Sequence, residues 1–341
     1  MPPLARFLLL RLLLVPITLL IVTVTLMLML TAVRAEVRAL LYMPYQFQAS
    51  SLEMTMDEMR QATGHIIERY HLEDPFPVQY AYWILSVFTQ GGGYSPTLKG
   101  EVFAALLKRT PVTAELTLYS LLVFIPMGVV SGLTAGWKQG GRTDRRFRTA
   151  AYVASSLPPY ITALFLLSIF YVFLGWFPPG RLGIVTGSEA LSPGFHHFTG
   201  LLTIDSLLNR RLDIFVDSAR HLVLPVFTLS LVQWATLGRI VRSAIITESR
   251  KEYLRAARAR GIPERRLKWL HAMRNILAPA LSSSALSATS LFTGVFMVEI
   301  IFDLKGVADL VVHGSTSGLD VPIAMGFCIY SVAAQPDTDL A

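Results

Sequence analysis

The sequence predicts an all-α polytopic membrane protein with six transmembrane helices, and three observations carry that prediction. The 341 residues are 53% hydrophobic and only 16% charged, whereas soluble domains are about one quarter charged. The apolar residues also gather into unbroken runs at Phe7–Val33, Val112–Trp137, Thr149–Phe177, His221–Val241 and Ile276–Phe302, with a shorter run at Val321–Ala334. A span needs about 20 such residues to cross roughly 30 Å of hydrocarbon, and unbroken runs exclude the alternating strands of a barrel. Finally, with the N-terminus inside, segments 1–12, 137–148 and 239–275 hold 18 of the 30 basic residues. The outside segments 31–113, 176–220 and 302–320 hold 12 in more than twice the length. The positive-inside rule therefore places the N-terminus in the cytoplasm.

Residues 1–33 read as an N-terminal anchor helix. Arg6 and Arg11 give it a basic start, but its apolar centre exceeds the roughly 7–15 residues of a signal peptide and no small-x-small site closes it. Arg11 snorkels to the headgroups. Residues 34–111 read as a long extracytoplasmic segment, interrupted by Pro75, Pro77 and Pro96 and by Gly91-Gly92-Gly93. A short helix is expected over Met54–Tyr70, with Met56, Met59, Ile66 and Ile67 as packing residues; Tyr80, Tyr82 and Trp83 suit a membrane interface. Such a segment is a structured linker or a small outer domain that meets substrate or partner, and its length favours the second.

Residues 112–334 form the core. In the second span Gly128, Gly132 and Gly136 recur every fourth residue, a small-residue stripe that lets another helix approach closely. The single cysteine, Cys328, rules out an intrachain disulfide and reads as a small apolar residue.

Several chemistries are missing. No lysine is followed by Ser or Thr, so the phosphate loop of an ATPase is absent. There is no His-Glu-x-x-His, and the pair His196-His197 lacks an evident third metal ligand. The ionisable residues of the spans sit near their ends: Glu115 and Glu299 outside, Arg239 and Arg242 inside. Nothing marks a proton or sodium relay of the kind a secondary carrier needs. No enzyme chemistry, cofactor, metal or nucleic-acid partner is expected of this chain; it reads as a passage without an engine.

The most informative stretch is the basic loop Ser249–Pro279. Ser249 and Glu252 fit a capping box, so a helix is expected from about Arg250 to Arg260. Gly261 supplies a left-handed stop and Pro263 prevents continuation. Tyr253, Ala256 and Ala257 share a small apolar face surrounded by Arg255, Arg258 and Arg260. A second helix starts at Pro263, with Leu267, Leu270 and Met273 as its apolar stripe. Basic charge alone fits an anionic lipid surface, at about 1 kcal/mol per basic residue. The capped helix, glycine stop and small face favour a protein socket.

The order of residues in this loop resembles the coupling loop of permease subunits of binding-protein-dependent ATP-binding-cassette importers. The likeness is greatest to the dipeptide/oligopeptide/nickel branch, where a Tyr-x-x-x-Ala-x-x-x-Gly run precedes a His-x-x-x-Asn-x-x-x-Pro run. Tyr253, Ala257 and Gly261, then His271, Asn275 and Pro279, occupy those positions. Arg255 stands where the general family often has a glutamate. The resemblance continues through Pro77-Val78-Gln79-Tyr80, Trp83, Arg109-Thr110-Pro111, Thr113-Ala114-Glu115-Leu116, Asp144-Arg145, Pro158-Pro159, His221–Pro225, Arg239, Arg242, Val298-Glu299, Ile301-Phe302, Asp320 and Pro322.

The resemblance implies a fold of the type I importer permease kind, with a coupling loop at 243–275 whose docking residues are Tyr253, Ala256, Ala257, Gly261, His271 and Asn275. It also implies a second homologous permease subunit, two cytosolic ATPase subunits carrying ATP-Mg, an extracytoplasmic solute-binding protein and surrounding membrane lipid. The setting would be a bacterial or archaeal inner membrane. Peptide is the expected solute, with nickel or oligosaccharide as alternatives of the same family. A non-transporting scaffold or receptor with a lipid-binding loop is the alternative of another class. Two departures stand out. Gly91-Gly92-Gly93-Tyr94-Ser95 replaces a Gly-Asp-Leu-Gly-x-Ser-like motif. The tail 335–341 departs from the family's usual ending, which suggests a truncated or frame-altered C-terminus.

Overall fold

A computed structural model describes the chain at residues 3–43, 54–89, 91–95, 97–316 and 320–334; Pro96 and the tail 335–341 lie outside the described residues. In chain order the helices are α1 (Pro3–Thr31), α2 (Ala35–Leu40), α3 (Met56–Arg69) and α4 (Phe76–Thr89). A short antiparallel hairpin, β1 (Tyr94–Ser95) and β2 (Gly100–Glu101), precedes α5 (Val102–Trp137). Then come α6 (Arg142–Ser156), α7 (Pro159–Leu167), α8 (Ile184–Ala190), α9 (Leu202–Leu208) and α10 (Leu212–Ser249). The chain closes with α11 (Glu252–Ala259), α12 (Glu264–Arg266), α13 (Met273–Ile301), α14 (Val307–Thr316) and α15 (Val321–Ala334). Two compact units result, residues 3–110 with 309–334, and residues 111–308.

In the first unit, α3 starts on a reciprocal cap. Thr55 Oγ1 accepts from the Glu58 N–H at 3.4 Å, and the Glu58 carboxylate accepts from the Thr55 N–H at 2.8 Å. Met59 and Ile67 are buried, whereas Met56, in the first turn, is 46% exposed. The Arg38 guanidinium is buried and donates to Gln79 Oε1 at 2.7 Å and to the Leu72 carbonyl at 2.5 Å. Tyr80, Tyr82 and Trp83 belong to α4, a helix that the aromatic composition alone does not announce. The last helix, α15, packs along α1, with Met27 and Met325 buried together. Asp320 caps α15: its carboxylate accepts from the Ile323 N–H at 3.2 Å and from Ser95 Oγ at 2.6 Å.

The second unit is built on α10, which packs against α6, α7 and α13. Leu116, Phe124, Leu133, Leu237, Ile245 and Leu291 fill its core. The third apolar run, Thr149–Phe177, is not one straight helix. It turns by 96° between α6 and α7. Leu157 and Pro158 are extended because a residue before proline is pushed out of the helical region, and Pro159 then opens α7 without needing its missing N–H. Helix α10 extends beyond the fourth apolar run at both ends. Among the described residues, Val102–Trp137 and Leu212–Ser249 are each long and apolar enough to cross a membrane, and α6 with α7 adds a third crossing if the bent pair is one span.

Candidate functional site

The basic loop folds as a helical hairpin between α10 and α13. Its start differs from the capping box expected at Ser249. Helix α10 runs on through Ser249, whose Oγ donates back to the Ile246 carbonyl at 2.9 Å. The new helix begins at Glu252 with Lys251, extended, as its cap and no side-chain capping bond. The polar continuation of α10 is held by partners further along the fold, and this outcompetes the local cap.

Gly261 has φ +75°. Its N–H donates to the Arg258 carbonyl at 2.9 Å, and the Ile262 N–H donates to the Ala257 carbonyl at 3.2 Å. This pair of bonds closes α11 with a left-handed residue, where glycine avoids the Cβ penalty. The face carrying Tyr253, Ala256 and Ala257 is divided. Ala257 turns inward with Leu254, and both are buried against Leu267, Ala272 and Ile276. Ala256 and Tyr253 face outward, Tyr253 at 37% exposure. His271 is half-buried in a π-turn over Leu267–Ala272 and makes no side-chain hydrogen bond among the described residues. The side chain of Pro279 is outside the described residues.

A residue that the sequence did not single out, Glu248, joins the two motif runs. Its buried Oε1 accepts from the Tyr253 hydroxyl at 2.7 Å and from Asn275 Nδ2 at 2.8 Å. Lys251 Nζ lies 2.7 Å from Oε2, and Asn275 also donates to the Tyr253 oxygen at 2.8 Å. Burial raises the Glu248 pKa, but the bonds from Lys251, Tyr253 and Asn275 outweigh it and hold the carboxyl below its ordinary value. Burial and then the Glu248 bond push the Tyr253 phenol up to about 12, so it stays a donor at neutral pH. The carboxylate thereby pins the end of α10, the first turn of α11 and the start of α13 to one point.

The hairpin is also tied to the α5–α6 turn. Glu264 accepts from Arg258 Nε at 2.8 Å and from Trp137 Nε1 at 3.0 Å, and the Arg258 guanidinium lies 5.5 Å from the Trp137 ring centroid. Arg250 donates to Gln139 Oε1 at 3.2 Å. About two turns earlier on α10, Arg242 grips the buried Asp144 with two bonds, at 2.5 and 2.9 Å, and the Gly140 N–H adds a third at 2.9 Å.

The Arg242 bond, opposed by burial, lowers the Asp144 pKa to about 2. A depressed carboxylate stabilises the fold above its unfolded pKa of roughly 4 and loses that contribution as pH falls through the folded value. The melting-temperature difference between wild type and Asp144→Asn in detergent is therefore expected to hold from about pH 7 to 4.5 and to shrink below it. A difference that stays unchanged down to about pH 2.5 would contradict the pairing.

The glycine stripe of α5 lies against α10. A Cβ on Gly128 would meet Leu237 at 2.9 Å, one on Gly132 would collide with the Gly238 carbonyl oxygen, and one on Gly136 would collide with Ile245. At the other end of this unit the two carboxylates singled out from the sequence are fully occupied. Glu115 accepts from the Thr203 N–H at 2.8 Å and from Arg181 at 2.6 Å. Glu299 accepts from Thr113 Oγ1 at 2.5 Å and from the Ala308 N–H at 2.9 Å. These bonds tie loops to helices.

The arrangement is mechanical. A short, charged, rigidly mounted hairpin joins two long helices, one of which, α10, is long and apolar enough to cross a membrane. The family model of the binding-protein-dependent transport system inner membrane component matches residues 125–334. The di/tripeptide transport system permease protein DppB of Pseudomonas aeruginosa is 31% identical over 276 residues, 80% of each chain. The dipeptide transport system permease protein DppB of Alkalihalophilus pseudofirmus is 28% identical over 247 residues, 72% of each. The oligopeptide transport system permease protein AppB of Bacillus subtilis is 29% identical over 266 residues, 78% of this chain and 76% of that protein.

Proposed function

Because the chain belongs to the family of inner-membrane components of binding-protein-dependent transport systems, we propose that it forms half of the translocation pathway of an ATP-driven importer of short peptides. The peptide assignment is drawn from the di/tripeptide, dipeptide and oligopeptide permeases it resembles. A second homologous permease completes the pathway, two cytosolic ATPase subunits hold ATP-Mg, and an extracytoplasmic binding protein delivers the solute. Six spans with a cytoplasmic N-terminus put residues 34–111 outside and the hairpin inside.

The observation that carries this reading is the mounting of the hairpin on Glu248. A docking helix transmits motion only if it does not swivel on its supports. Here α11 is held at its first turn by Tyr253–Glu248 and Asn275, and at its last turn by Arg258–Glu264. Movement of an ATPase under α11 is passed directly to α10 and α13. ATP and the loaded binding protein each favour a different state of the pathway, and that differential affinity is the coupling.

The exposed face offered to the ATPase consists of Tyr253 and Ala256 with Arg255 beside them. Ala256→Trp adds bulk there without touching the buried Leu254/Ala257 face. It is expected to lower solute-stimulated ATP hydrolysis of the reconstituted complex at least about tenfold, equivalent to ~1.4 kcal/mol of lost docking. The melting temperature of the permease should stay unchanged. Wild-type stimulation in Ala256→Trp, or no ATPase pair co-purifying with the wild-type permease, would sink this reading in favour of a scaffold.

A further inference from the structure

The glycine run Gly91-Gly92-Gly93 is a departure that the coupling reading leaves unused. All three residues have positive φ, at 56°, 88° and 92°. This left-handed stretch turns the chain at the end of α4 and brings Tyr94 to the wall of a cavity of about 110 Å³ in the first unit. Tyr42, Tyr70, Tyr82 and Trp83 supply the other aromatic walls, and Arg69 lines the same cavity. The walls are braced. Tyr42 stacks on Tyr70 at 4.3 Å between centroids, and Tyr82 stacks on His71 at 3.8 Å.

The charges around the cavity are unevenly paired. Arg60 bonds Glu73 at 2.7 Å, His71 lies 2.7 Å from Asp74, and the Arg38 guanidinium is taken up by Gln79 and Leu72. The Arg69 guanidinium has no carboxylate within salt-bridge distance among the described residues and rests 5.9 Å from the Tyr70 ring centroid. A guanidinium against aromatic walls disfavours a cationic guest and favours a carboxylate with an apolar body beside it. The volume sets the size of that body. An engineered cavity of about 150 Å³ takes a benzene ring, so 110 Å³ suits one branched aliphatic side chain and admits neither an aromatic ring nor a whole peptide.

We propose that this cavity binds the C-terminal residue of a short peptide, its carboxylate on Arg69 and its branched aliphatic side chain among Tyr42, Tyr70, Tyr82 and Trp83. The proposal rests on the importer reading, which puts residues 34–111, and with them Tyr42, Arg69, Tyr70, Tyr82 and Trp83, on the solute side. It gives the permease its own contact with the solute, separate from that of the binding protein.

The test is titration calorimetry on the purified full-length permease in nanodiscs, with Gly-Leu and its C-terminal amide as probes. The acid is expected to bind about tenfold more tightly than the amide, the size of one charge-assisted bond. Arg69→Gln should abolish the preference and Arg69→Lys should keep most of it. Arg69 is exposed and unpaired among the described residues, so these variants are expected to fold. Equal binding of acid and amide, no binding of either, or a preference that survives in Arg69→Gln overturns the proposal. Peptide uptake by the assembled transporter is read in parallel. Uptake that requires this chain, without an acid-over-amide preference, overturns the cavity assignment alone. An Arg69-dependent preference alongside uptake that ignores this chain supports the cavity and removes the importer reading.

Discussion

Gly132→Leu is expected to leave little or no folded protein. A Cβ at this position would press on the Gly238 carbonyl oxygen and lie 3.0 Å from Val241 Cβ. Neither can rotate away, since one is backbone and the other sits at the root of a branched side chain. Gly238 cannot retreat either, because its own Cβ position is already 2.7 Å from the Phe147 ring. Overpacking that a side chain absorbs costs about 1–3 kcal/mol. Forcing two helices apart along their backbones exceeds this, and about 4 kcal/mol or more is expected. Gly128→Ala is the graded comparison: it meets only the Leu237 side chain, at 2.9 Å, and a cost of about 1–2 kcal/mol is expected. Fluorescence-detected size-exclusion and melting curves of the two variants read the difference. A monodisperse Gly132→Leu protein melting with wild type would refute the close α5–α10 approach.

Glu248→Ala is expected to uncouple the hairpin while leaving the core of the second unit folded. The substitution strands the Tyr253 hydroxyl and the Asn275 amide, and releases Lys251. Hydrogen bonds to a charged group contribute about 1.5–3 kcal/mol each, with incomplete additivity. A local loss near 2.7 kcal/mol corresponds to roughly 100-fold faster hydrogen exchange across 252–261. Exchange in the middle of α10, around Leu229–Leu237, should not change. Solute-stimulated ATP hydrolysis should fall to the basal level. Glu248→Gln, which keeps an acceptor oxygen, is expected to fall between wild type and Glu248→Ala. Unchanged exchange over 252–261 in Glu248→Ala would show that the hairpin is held by its apolar face instead.

The stop of α11 at Gly261 is a property of a few adjacent residues, and local chemistry announces it; the break of the third apolar run at Pro158-Pro159 is equally local, but it is hidden inside a continuous apolar run. The angle of that break is not local. Two prolines state that the helix ends, and the 96° turn is fixed by how α6 and α7 each pack on α10. The capping box expected at Ser249 loses, because Arg242 and Glu248, earlier on α10, find partners 98 and 27 residues away in Asp144 and Asn275. Helix α4 was hidden because aromatic residues suit an interface, a strand or a helix equally well.

A helical membrane protein with a basic hairpin between long apolar segments is legible in the sequence alone. Runs of apolar residues and clusters of charge are one-dimensional quantities, set by transfer energies that act on each segment separately. The tertiary structure sets which face of α11 is free, that Glu248 is the point where Tyr253 and Asn275 meet, and that Arg69 lines an aromatic cavity with no carboxylate at salt-bridge distance among the described residues. Those outcomes depend on side chains that are distant in the sequence competing for the same partners, and no segment read alone contains the competitor.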